Sequence, residues 1–445
     1  MNDKLFYQKP VLLYLLLGFS ALAYYVLVYE TARENFLQLI SLFTFLFIVY
    51  YITYNFFSAA HLNYLIFAGS FFRFLLLFSV PNLSEDVYRF IWDGRVAANG
   101  INPFNYLPLQ LMQMQRGTGL TVELFGQLNS PGFYSVYPPV LQGIFWIVAK
   151  LFPLDIFGAM IAMKCFIFTT ELATFYLLIQ ILKKLSLPKH LCLLYILNPL
   201  VITELTGNVH FEGLMIFFVL LAFLLYLNHD WWLSAIFLGL GVATKLLPLL
   251  FLPLMFKKLG WRKGIIYSTL TVMTTLVLFS LVFDIATIQH LLKSVDLFLR
   301  RFEFNASVYY FVRWIGKQVT GYNIIAYAGP ALAIIAAGLI FSLSFQDKKT
   351  TKQADAVKLL FIISTWFIFS TTVHPWYICL PVALSVFTPY RYAIIWSFTA
   401  ILSYLSYHYK PVQENLWLLG AGYIVMLGYA FWEVKNNHFR TKIRP

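Results

Sequence analysis

The sequence predicts an all-α polytopic membrane protein, a bundle of about 12 to 14 transmembrane helices with amphipathic helices in the loops of one side. Three observations predict it. Of the 445 residues, 60% are hydrophobic and 11% charged, against ~25% charged in a soluble domain. Phe contributes 45 residues and Tyr 29, more apolar surface than a globule of this size can hide, which excludes a water-soluble enzyme. Apolar runs of ~20 residues, the length that crosses a ~30 Å hydrocarbon core, recur along the chain.

Taken in order, the runs lie near 10–28, 36–56, 62–80, 156–182, 190–206, 211–228, 231–244, 246–257, 264–283, 324–344, 358–373, 376–389, 392–407 and 414–433, fourteen crossings of which two are short. The first follows Lys4 and Lys9 and passes Ala21-Leu22-Ala23, a signal-peptide-like site, yet it continues beyond that site. It is therefore read as a retained helix. With the N-terminus inside, the inner segments hold 18 of the 32 Lys and Arg and the outer ones 12. The inner segments are also shorter, so the bias per residue favours this orientation. It turns two long segments, 81–155 and 284–323, outward as membrane-hugging helices and loops within one domain spanning 1–445. Cys165, Cys192 and Cys379 lie far apart in apolar runs, without metal-ligand spacing. No repeat or nucleotide fingerprint is present, and no nucleic-acid partner is expected.

The densest chemistry follows the third run, in Ser84-Glu85-Asp86-Val87-Tyr88-Arg89-Phe90-Ile91-Trp92-Asp93-Gly94-Arg95. Ser84 suits an N-cap, Glu85 and Asp86 suit the positive end of the dipole, and Asn99-Gly100 suits a stop, which predicts a helix over about 85–98. On it Asp86, Arg89 and Asp93 share one stripe, expected to face water, while Val87, Phe90, Ile91 and Ala98 make an apolar one. Glu85 points ~100° from Asp86, so one would serve as a base and the other as a cap or support. Asn102-Pro103 is a turn, and Tyr137-Pro138-Pro139 opens a helix that is expected to lie along the surface.

Other polar residues fall at the outer ends of the runs. Asn208, His210 and Glu212 share a tight turn, and Lys245, between two apolar runs, needs an anionic partner, either a carboxylate or a phosphate. Arg300-Arg301 suits a phosphate or an anionic headgroup, Asn305 follows in the same segment, and His374-Pro375-Trp376 forms a further outer turn. Mid-run charges are read only at Arg73, Lys164 and Glu171.

These strings, with Gly100-Ile101-Asn102-Pro103-Phe104, Tyr137-Pro138-Pro139, Gly207 to Glu212, Ala243-Thr244-Lys245, Asn305-Ala306-Ser307 and His374-Pro375-Trp376-Tyr377 in shared order over about 80–380, resemble bacterial mannosyltransferase-type enzymes of the GT-C superfamily. More distantly they are similar to the catalytic subunit of GPI mannosyltransferase I. The resemblance implies an inverting glycosyltransferase with a polyprenyl-phosphate sugar donor, a glycan or glycolipid acceptor, and an acidic base in the first outer loop of a bacterial inner-membrane protein. Where many relatives carry two Asp, this chain has Glu85-Asp86, so Asp86 or Glu85 is the expected base. Arg300, Arg301 or Lys245 would meet the departing phosphate, with Arg89, Asp93, Arg95, Asn102, Tyr137, His210, Glu212, Asn305, His374 and Trp376 binding substrate. No cofactor is required, although Glu85, Asp86 and Asp93 could hold a divalent metal. The rival class is a transporter or flippase of lipid-linked sugars. It would carry midplane ionisable groups and paired halves, whereas here the polar residues gather at one face.

Overall fold

The computed structural model describes residues 10–114, 117–282, 284–346 and 351–443. Lys4 and Lys9, which helped orient the chain, lie outside them. The described residues form helices joined by turns and loops, with a single isolated parallel bridge between Phe304 and Thr372. Among the described residues six helices are long and apolar enough to cross a membrane: Pro10–Glu30, Phe36–Phe57, Ile156–Lys184, Leu247–Ser280, Ile325–Phe345 and Leu416–Asn436.

Local chemistry sets several starts and stops. Asn35, Asp155, Asp284 and Thr351 each accept a hydrogen bond from the backbone N–H three residues on, capping a helix. Gly321 closes the Val308–Thr320 helix in the left-handed conformation.

One of the fourteen expected runs is not a continuous helix. The 190–206 run is broken into Lys189–Ile196 and Pro199–Gly207, bent by 53°. Pro199 has no N–H to continue the first helix, and the Asn198 side chain instead caps the second at Leu200 and Val201. The runs at 246–257 and 264–283 meet at Gly260, whose φ of 76° no helix accommodates. Leu62–Leu75, Glu212–Leu227, Trp231–Val242 and Pro375–Ser385 are apolar but short.

The three mid-run charges are buried and bonded. Arg73 and Glu171 pair at 3.1 Å with both side chains fully buried, and Tyr195 donates to Glu171 at 2.8 Å. Arg73 Nη1 also donates to the Ile196 carbonyl at 2.7 Å, satisfying an acceptor that the helix break frees. Lys164 donates to Ser79 Oγ and the Leu76 carbonyl.

Contacts sort the turns into two ends. At one, Arg33 meets Glu85, Asn82 donates to the Thr31 carbonyl, the Leu83 N–H donates to Asn208, and Tyr310 donates to Glu414. At the other, Tyr226 and Lys258 meet Asp355, Lys352 donates to the Leu227 carbonyl, and the Arg391 and Tyr392 N–H groups donate to Glu433.

Candidate active site

The helix after the third run is Asp86–Ala98, with Glu85 rather than Ser84 at the N-cap position. Ser84 Oγ still accepts from the Asp86 N–H, at 3.3 Å. Gly100, with φ of 74°, ends the helix where a stop was expected.

The water-facing stripe is not observed. Arg89 and Asp93 are 2% and 1% exposed, because the 108–151 segment folds over them and the Pro139–Leu151 helix packs on this one. That second helix therefore lies against the first, with six of its residues buried. Arg89 Nε pairs with Asp93 at 2.8 Å, and its Nη1 donates to the Ser130 and Phe133 carbonyls, each at 2.9 Å. Asp93 also accepts from Ser135 and Gln142. Arg95 is buried and donates to the Gly119 carbonyl at 2.7 Å. Asn102 reaches the Val282 carbonyl and Thr287 Oγ1, tying this segment to the one that begins at Asp284. These four residues bond protein groups along and beyond the helix rather than gathering at Asp86.

Asp86, at the start of the helix, is half-buried and accepts from the Asn129 amide at 2.9 Å. Burial raises its carboxyl above the usual range, opposed by the Asn129 hydrogen bond and the Lys245 charge. Glu85 is turned away to Arg33 at 2.8 Å, and that guanidinium lies over the Tyr407 ring. Tyr137 packs edge-on against Phe90 at 4.9 Å, and burial and then the Asp86 charge push its hydroxyl pKa up.

The turns at 208–212, 243–246 and 370–377 converge on the same place. Lys245 pairs with Glu212 and lies 5.3 Å from the centre of the Tyr377 ring. His210, Trp376, His374 and Phe304 form one continuous ring stack, with successive centroids at 3.8, 4.4 and 4.9 Å. Burial, then the Lys245 charge, pushes the His374 imidazole down to about 3 and His210 well below its ordinary value. Burial thus favours the neutral form of both rings.

Asn305 is buried and structural: it donates to the Val373 carbonyl, and its own carbonyl accepts from Tyr423. Arg300 is half-exposed, pairs with Asp296 at 2.9 Å, and Arg301 is exposed. Neither touches the buried cluster, although Phe302 beside them lies 6.1 Å from His374.

Glu204 was not anticipated. It is fully buried beneath the stack, accepts from Tyr404 at 2.8 Å and from Asn208, and sits 3.4 Å from His210 Nε2. The available signal was an acidic residue inside an apolar run just after Asn198-Pro199. Asn208 links it onward to the Leu83 N–H, three residues before Asp86.

Among the described residues no three His, Cys, Asp or Glu side chains group as metal ligands, and Glu85, Asp86 and Asp93 point to different partners. What the cluster offers is a carboxylate of raised basicity, an ammonium group and neutral stacked rings in a half-buried setting. That set suits general-base chemistry beside a developing negative charge.

Residues 39–259 match the family described as alpha-(1->6)-mannopyranosyltransferase, N-terminal domain. No curated protein matches the chain.

Proposed function

The chain is a glycosyltransferase of the mannosyltransferase class, and on that premise we propose that it moves mannose from a polyprenyl-phosphate donor to a glycan or glycolipid acceptor, with inversion, at the extracytoplasmic face of a bacterial inner membrane. Asp86 takes the acceptor hydroxyl proton as that oxygen attacks the anomeric carbon. The bond to the phosphate oxygen breaks, and the lipid phosphate leaves with the electron pair. Lys245 stands toward that growing charge, and the His210–Trp376–His374 stack offers a flat apolar wall to a sugar ring. Arg300 and Arg301 sit at the rim, where a headgroup phosphate would enter.

One observation carries this reading. Glu85, Asp93 and Glu212 are paired with the cations Arg33, Arg89 and Lys245, and Glu204, bonded to Tyr404 and Asn208, is fully buried, whereas Asp86 is half-buried and held by a neutral amide. It is the carboxylate placed to gain and lose a proton.

The test is reconstitution of purified protein with acceptor and either polyprenyl-phosphate mannose or a nucleotide mannose. Transfer from the lipid-linked donor is expected, with a product of anomeric configuration opposite to the donor's, and Asp86→Asn should lower turnover by ~10² or more. Transfer from the nucleotide sugar alone would refute the donor assignment. Loss in Glu85→Gln with normal turnover in Asp86→Asn would move the role to Glu85.

A further inference from the structure

At the end of the bundle away from Asp86, the last turns of Ile156–Lys184 and the end of Glu212–Leu227 flank an open cleft of about 370 Å³, lined by Tyr176, Gln180, Lys183, Lys184, Leu224 and Asn228. No carboxylate lines it. None of its five polar side chains is hydrogen-bonded or ion-paired to another described residue. A helix C-terminus favours lysines for its dipole alone, but that does not account for Gln180 and Asn228 facing the same space from two helices. One and two turns toward the middle of the bundle, Tyr176 and Leu172 continue the face as exposed apolar surface, Tyr176 being 61% exposed. The cleft is therefore polar and cationic at its mouth and opens along an apolar flank.

We propose that this cleft binds the phosphate of an anionic phospholipid, whose acyl chain lies along Leu172, Tyr176 and Leu224. Two ammonium groups meet the phosphodiester oxygens, and the Gln180 and Asn228 amides supply further donors. The site is separate from the sugar-transfer chemistry and does not depend on it.

The test is native mass spectrometry of the full chain in detergent with phosphatidylglycerol or phosphatidylcholine. Phosphatidylglycerol adducts should be retained preferentially and fall at least ~10-fold in a Lys183→Ala, Lys184→Ala double variant. Lys189→Ala, a charge lost from the same loop but outside the cleft, should leave them unchanged. Equal retention of both lipids, or an equal loss in Lys189→Ala, would overturn the proposal. Displacement of phosphatidylglycerol by millimolar inorganic phosphate would also overturn it, because the cleft would then read a soluble anion.

Discussion

Asp86 and Asp93 lie two turns apart on one helix yet have opposite fates. Asp93 is neutralised by Arg89 and two neutral donors, which makes it a staple. Asp86 keeps a raised carboxyl with an amide partner. The sign of that shift yields two expectations. A base must be ionised, so turnover should fall as pH drops through the raised value, placing the acid limb above the usual carboxylate range. The folded protein also binds this proton more tightly than the unfolded chain, so ionised Asp86 destabilises the fold at neutral pH, a cost that disappears in acid. Asp86→Asn should therefore melt no lower than the parent at pH 7 while losing turnover, and an unshifted acid limb or a lower melting point would contradict the assignment. Asp86, His210, Glu212, Lys245, His374 and Trp376 were legible as polar or aromatic groups at the ends of apolar runs. Arg89 and Asp93 were misread because what buries them arrives from 108–151, a covering that helical periodicity does not encode.

At the scale of elements, the Asp86–Ala98 and Pro139–Leu151 helices touch most closely at Gly94, where a Cβ would run into the Phe145 carbonyl. Phe90 and Phe145 stack beside that contact at 4.8 Å. Gly94→Val should separate the pair, destabilise the fold by ~1 to 3 kcal/mol, and reduce turnover by disturbing the Arg89–Asp93 staple. Circular-dichroism melting and transfer assays on the same preparation check this, and an unchanged melting point would show that the two helices yield freely. Glycine told the elements apart where its effect is local, as at Gly100. The break at Asn198-Pro199 was nonetheless read as a continuous crossing, since hydropathy averages over a proline. Glu204, positioned by that break, was missed with it.

For the whole molecule, the charge difference between the short and long segments makes the orientation of the chain a testable expectation. On a background without Cys165, Cys192 and Cys379, Thr118→Cys and Thr320→Cys should react with an impermeant maleimide in intact cells, and Lys189→Cys only after permeabilisation. The reverse pattern would put the Asp86 cluster in the cytoplasm and refute the lipid-donor mechanism. The short helices beside that cluster carry a further physical consequence. Glu212–Leu227 has 16 residues and Trp231–Val242 has 12, which at ~1.5 Å each span about 24 and 18 Å against a ~30 Å hydrocarbon core. This is a hydrophobic mismatch, and a bilayer relieves it by thinning around the shorter element. His210, Glu212 and Lys245 all sit at one end of these two helices, so a bilayer thinned around them would bring a lipid-borne phosphate toward the depth of Lys245. Turnover measured in phosphatidylcholine bilayers of increasing acyl length should decline as the membrane thickens, with the rate following the elastic cost of that dimple rather than the chemistry of the sugar.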